Sequence, residues 1–173
     1  MTSLPIVKLP PTVVMGVSGS GKTTVGLALA SALGVSFIDG DDLHPAANKA
    51  KMAAGTPLTD SDRQPWLAAV GQVLHGEPGR GPVVACSALK KAYRDALRSF
   101  APDTVFLHLA GGSALIRARM VHREHHFMPA ALLDSQLDTL EPLQTDERGC
   151  VLDTGQTPAA IVGDAVAWLR ASV

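Results

Sequence analysis

Little in this chain of 173 residues favours contact with nucleic acid or lipid. Fifteen lysines and arginines face sixteen acids, a net charge of −1, so the basic footprint of a nucleic-acid binder is missing. Aromatic residues make up 4%, too few for a base-stacking platform. No apolar run approaches the roughly 20 residues that span a bilayer. There is no internal repeat and no low-complexity tract. The two cysteines, Cys86 and Cys150, each sit in an apolar run far from any C-x-x-C spacing, which reads as buried thiols rather than a disulfide or metal site. Met1 to Pro11 has neither signal-peptide nor arginine-rich character and reads as a proline-stiffened tail. The expectation is one cytoplasmic globular domain over 1–173, with no nucleic-acid and no membrane partner.

What is present is concentrated near the N-terminus. Gly16-Val17-Ser18-Gly19-Ser20-Gly21-Lys22-Thr23 matches the phosphate-binding pattern G-x-x-x-x-G-K-[ST]. The apolar run Thr12 to Met15 before it reads as a buried strand, and Thr24 to Leu33 after it as a helix. Glycines let the loop curl around a polyphosphate where a Cβ would collide. Backbone N–H groups and the helix N-terminus then supply a fixed positive field. In this motif Lys22 reaches the β- and γ-phosphates, and the Thr23 hydroxyl belongs to the Mg²⁺ shell. Residues 16–24 are therefore the expected ATP-binding loop, with Thr24 opening the helix.

Short apolar runs alternate with helical patterns along the rest of the chain, which predicts an α/β fold with a parallel sheet. Strands are expected at Ser36–Asp39, Val83–Cys86, Thr104–Leu109 and Cys150–Asp153. Helices are expected from Pro45 through Met52, from Ser61 or Asp62 to about His75, and from Lys90 to Phe100. Further helices run from a Ser113 cap to about Glu124, from Pro129 to about Leu140, and from the Thr157-Pro158 cap through Ala171.

The second half of the nucleotide site decides between switch, motor and kinase. No Asn-Lys-x-Asp element is present, since Asn48-Lys49-Ala50-Lys51 ends in lysine. No aspartate ends strand three or strand four. The carboxylates stand after strand two, in Asp39-Gly40-Asp41-Asp42, and residues two apart point the same way. One carboxylate can serve the magnesium shell while the other orients an acceptor hydroxyl, as phosphoryl transfer requires. Arg117, Arg119 and Arg123, ahead of His125, His126 and Phe127, suggest a lid over about 117–130 whose guanidinium groups neutralise transition-state charge and exclude water. A zinc reading of His122, His125 and His126 lacks a further ligand cluster. Between Asp39 and Arg94, the residues Asp41, His44, Arg63, Ser87, Lys90 and Arg94 offer hydroxyl partners and cations for an anionic polyhydroxy compound. The residues alone lead to a kinase of a small, anionic, hydroxylated substrate. A kinase of another sugar acid or polyol, and a slowly hydrolysing regulatory module, stay open at this point.

Together these segments resemble the short P-loop gluconokinases, relatives of shikimate and adenylate kinases. Asp39-Gly40-Asp41-Asp42-Leu43-His44-Pro45, Asp62-Arg63 with Pro65-Trp66-Leu67, and Cys86-Ser87-Ala88-Leu89-Lys90-Lys91 carry the resemblance, as do Arg119, Arg123, His126-Phe127-Met128-Pro129 and Ser135-Gln136. It extends from about Val13 to Asp153 and departs at His125, where the family has glycine. The resemblance implies a P-loop NTPase three-layer fold with a five-stranded parallel sheet in the order 2-3-1-4-5, helices on both faces and a lid. It implies phosphorylation of D-gluconate by ATP with Mg²⁺, and a possible homodimer. By the same resemblance Lys22, Asp41 and Arg123 are catalytic, and Thr23 and Asp39 serve the metal. Asp41 would touch the acceptor and Arg63 its carboxylate, with His126 among the acceptor-binding residues. Arg119 would stack on adenine beside the loop from Asp153 to Pro158.

Overall fold

A computed structural model describes residues 8–76, 79–122 and 130–172. Five strands, β1 (Thr12–Met15), β2 (Phe37–Asp39), β3 (Val83–Ala85), β4 (Val105–Ala110) and β5 (Gly149–Asp153), form one sheet in the order β2-β3-β1-β4-β5. Every pairing is parallel; Val13, for example, lies between Val84 and Phe106. The three inner strands are almost wholly buried, as strands covered on both faces must be, and they read as continuous apolar runs. The architecture and strand order agree with expectation.

The described residues form seven helices: α1 (Lys22–Leu33), α2 (Ala46–Ala53), α3 (Asp60–His75), α4 (Lys91–Phe100), α5 (Ser113–Val121), α6 (Ala130–Thr139) and α7 (Pro158–Ala171). One core layer joins Val13, Val84 and Phe106 to Trp66, Val70, Tyr93 and Leu97 of α3 and α4. The layer on the other face joins Val14, Leu107 and Leu109 to Leu29, Ile161 and Leu169 of α1 and α7. A third, smaller cluster sets Val17 of the glycine loop against Leu89, Ile116 and Leu133. That cluster fixes the loop to α5 and α6.

The local chemistry explains most boundaries. Thr59 caps α3 by accepting from the Asp62 N–H while Asp62 accepts from the Thr59 N–H, a reciprocal capping box. This moves the start of α3 ahead of the expected Ser61 or Asp62, so Pro65 falls in the second turn and not the first. The carbonyl it deprives of a partner, that of Ser61, lies on an exposed stretch. Thr157 accepts from the Ala160 N–H and Pro158 opens α7, as expected. Helix α5 is preceded by Gly112 as its cap, not Ser113. A short 3-10 turn, Gly40–Leu43, follows β2 and carries Asp41 and Asp42. The expected lid residues Arg123 to Pro129 lie outside the described residues. Among the described residues no helix is long and apolar enough to cross a membrane.

Candidate functional site

β1 delivers the chain at the point where the strand order reverses, with β3 on one side and β4 on the other. Crevices at the carboxyl ends of strands form at such a switch point. The loop after β1 bends through three glycines in the positive-φ region, Gly16, Gly19 and Gly21. At Gly16 a Cβ would also sit 2.8 Å from the Leu109 carbonyl oxygen, so only glycine fits. α1 starts at Lys22, earlier than the expected Thr24, and has no acidic residue in its first turn. Its N-terminal field is left for an anion. The Lys22 ammonium donates to the Val17 carbonyl at 3.0 Å, folded along the loop it serves. Ser20, in the same loop, has a buried hydroxyl with no hydrogen-bond partner among the described residues.

Asp39 ends β2 and organises the neighbouring turn. Its Oδ1 accepts from the Asp41 N–H at 3.0 Å, and its Oδ2 accepts from the Thr23 hydroxyl at 3.0 Å. One carboxylate thus joins the glycine loop to the 3-10 turn that carries Asp41. The Thr23–Asp39 pair is a hydroxyl and a carboxylate, the hard oxygen donors that suit Mg²⁺. Mg²⁺ at kinase sites is held by few protein ligands plus phosphate.

A small cavity opens beside this junction. Six of the residues singled out from the sequence line it: Ser18, Lys22, Asp41, His44, Arg63 and Ser87. The props behind them are visible. Trp66 donates its indole N–H to the Gly40 carbonyl at 2.8 Å and stacks on the His44 ring, centroids 4.2 Å apart. Gly40 must be glycine, since a Cβ there would lie 2.4 Å from the Ala85 carbonyl oxygen. Asn48 gives one amide hydrogen to the Asp62 carbonyl at 2.7 Å and approaches His44 Nδ1 at 3.3 Å. The Asn48 NH₂ is a donor, so Nδ1 must accept and the His44 proton resides on Nε2. Burial, then the charges of Arg63 and Lys49, lower the His44 pKa from 6.5 to about 4. His44 is a neutral Nε2–H donor near neutral pH, not a base.

Arg63 donates to the Leu58 carbonyl at 2.5 Å, and its guanidinium lies 5.3 Å from the centre of the Tyr93 ring. Tyr93 is anchored by its hydroxyl, which donates to Asp60 at 2.5 Å. Lys90 was expected in the pocket, but its ammonium is engaged with the same Asp60 carboxylate at 3.2 and 3.3 Å. Bonds from Tyr93 and Lys90 hold the Asp60 carboxyl below its usual range. Lys90 therefore steadies the platform under Arg63 and does not line the cavity.

Arg94 calls for a larger correction. It is fully buried and paired with the equally buried Glu147, at 2.6 Å through Nε and 2.9 Å through Nη2. Its remaining hydrogens go to the carbonyls of Ala88, Leu89, Glu141 and Pro142. Every donor of the guanidinium is thereby committed, and none is left for a ligand. Arg94 instead holds the Ser87–Leu89 loop in place, including Ala88 with its positive φ of 45°.

On the other side of the glycine loop, Arg119 donates to the Thr154 hydroxyl and, at 2.6 Å, to the Thr154 carbonyl. The buried Thr154 hydroxyl in turn donates to the Ser20 carbonyl at 2.9 Å. The structure thus brings Arg119 together with the loop after β5. Arg123 and His126 lie outside the described residues. Cys86 is buried, which pushes its thiol up to about 12, and Cys150 is raised to about 11 by its own burial. Neither is a thiolate near neutral pH. A roomier hollow, about 510 Å³, sits at the opposite, amino-terminal end of the strands among Leu9, Leu74, Pro102 and Arg148 and carries none of this chemistry.

The sequence reading missed Trp66, Asn48, Tyr93 and Gln136 as parts of the site. Only their membership of the family-like segments could have marked them. Gln136 of α6 lines the cavity and accepts from the Ser18 N–H at 2.7 Å.

The AAA domain family matches residues 12–143. A probable gluconokinase of Xenopus tropicalis is 45% identical over 169 residues, covering 88% of this chain and 89% of that one. The gluconokinase of Gluconobacter oxydans (strain 621H) is 51% identical over 137 residues, covering 78% and 77% of the two chains. The crystal structure of a gluconokinase from Sinorhizobium meliloti 1021 superimposes with a TM-score of 0.87 at 49% identity, covering 94% and 93%. A shikimate kinase from Aquifex aeolicus, at 13% identity and a TM-score of 0.61, shares the fold.

Proposed function

From the membership of this chain in the gluconokinase family, we propose that it transfers the γ-phosphoryl group of ATP to D-gluconate, giving ADP and 6-phospho-D-gluconate. The observation that carries this reading is one cavity lined by Lys22 and Ser18 of the phosphate loop and by Asp41, His44 and Arg63.

An acceptor hydroxyl attacks the γ-phosphorus, the bond to the β–γ bridging oxygen breaks, and the proton passes to Asp41. Lys22 and the loop N–H groups bear the growing charge on the phosphoryl oxygens. The neutral His44 gives its Nε2–H to a second acceptor hydroxyl. Arg63, steadied over Tyr93, takes the carboxylate, where a bidentate pair distinguishes the acid from the parent sugar. Thr23 and Asp39 are the residues that would hold Mg²⁺, which when bound neutralises charge on the β- and γ-phosphates. Arg119 with the Thr154 segment is the candidate adenine wall. Arg123 and His126 belong, in this reading, to a lid over about 117–130 of a single domain with a tail at 1–11. Arg123 would reach the transition state on closure, and a cytoplasmic location fits an enzyme that draws on ATP.

The test is a coupled assay of ADP release with gluconate, glucose and shikimate. Gluconate should give by far the highest kcat/KM. A preference for glucose or shikimate would overturn the acceptor while leaving phosphoryl transfer standing.

A further inference from the structure

Ser18 contributes one of the backbone N–H groups of the phosphate loop, and Gln136 meets it from α6 at 2.7 Å. An N–H can be met only by an acceptor, so the orientation of the Gln136 amide is decided by chemistry: Oε1 faces the loop. The NH₂ group is the other end, on a side chain that lines the acceptor cavity.

The helix that carries it is registered against the same loop. Leu133 of α6 packs with Val17 and Leu89, and the Glu141 N–H just beyond α6 donates to the Leu89 carbonyl at 2.8 Å. Leu132, Ser135 and Gln136 recur at helical spacing and form the cavity wall that α6 supplies. The other walls already carry an acceptor of hydrogen bonds in Asp41, a neutral donor in His44 and a cation in Arg63. A side chain needed only to satisfy Ser18 could as well be glutamate. What glutamine adds is an uncharged donor, in a space that must admit a phosphate and a carboxylate together.

We propose that Gln136 is an acceptor-binding residue: its Oε1 is locked by the phosphate loop and its NH₂ donates to a hydroxyl oxygen of gluconate, setting the acceptor in register with the phosphoryl group. The proposal rests on the gluconate reading above. Coupling the acceptor wall to the loop in this way serves orientation, where small displacements cost rate.

The experiment uses wild-type protein and Gln136→Glu, which keeps an oxygen for Ser18, removes the donor and adds a negative charge. Wild-type turnover of gluconate tests the reading on which the proposal rests. The ratio between the two proteins tests Gln136. The variant should keep its thermal midpoint, while kcat/KM for gluconate falls roughly 10²-fold, mainly through the KM for gluconate and by more than the added charge raises the KM for ATP. A variant with wild-type kcat/KM for gluconate overturns the proposal, as does one whose defect lies only in the KM for ATP. A second measurement needs no folded variant. The side-chain amide resonances of Gln136 in nucleotide-saturated wild-type protein should shift when gluconate is added. Resonances that stay in place at saturating gluconate overturn the proposal equally.

Discussion

The two halves of the site are built from different material. The phosphate half is backbone: glycines at positive φ, N–H groups and the start of α1, with Lys22 as its one long side chain. The acceptor half is side chain, and each working group leans on a buried prop. His44 stands against Trp66 and Asn48, Arg63 over Tyr93, and the Ser87 loop on the Arg94–Glu147 pair. The backbone half binds what all nucleoside triphosphates share. Most of the side-chain half can be respecified without disturbing it, because these props belong to α2, α3, α4 and the segment before β5 and not to the glycine loop, whereas Gln136 on the Ser18 N–H links the two halves. Substitutions in the two halves should therefore fail in different ways.

The largest effect is expected behind the acceptor wall. Arg94→Met leaves Glu147 buried and unpaired and should cost about 3–5 kcal/mol of stability, read as a lower urea midpoint. If the midpoint is unchanged, the Ser87 loop has some other support. Next comes the phosphate half. Lys22→Ala should fold normally and lose at least about 10²-fold in kcat with every acceptor tried. A loss confined to one acceptor would erase the distinction between the halves. The smallest effect is in pH dependence. The folded pKa of His44, about 4, lies below its ordinary 6.5, so the folded protein takes up that proton less readily than the unfolded chain. Its contribution to stability is complete above pH 6.5 and is lost as the pH falls toward 4. His44→Phe, which keeps the stack on Trp66, should flatten that part of the stability profile and raise the KM for gluconate. An unaltered profile would mean that His44 already titrates normally.

The same division decides what could be read from the chain. The phosphate loop was legible because its chemistry is local: strand, glycines, Lys22, Thr23 and helix are consecutive. The parallel sheet and its order followed from the apolar runs together with the family resemblance. Lys90 and Arg94 were misplaced because their partners, Asp60 and Glu147, lie 30 and 53 residues away, and a cation in sequence does not announce its counterion. Gln136 went unassigned for the same reason, with its partner Ser18 at a separation of 118 residues. The start of α3 was set by a capping box involving Thr59, two to three residues before the expected start.

The account depends most on the independence of the two halves, and calorimetric titration of Arg63→Ala with each ligand tests it most directly. The variant should bind a non-hydrolysable ATP analogue as wild type does and lose most of its affinity for gluconate, because only the carboxylate partner is gone. An Arg63→Ala protein that binds gluconate normally, or that loses the nucleotide along with it, would contradict the account.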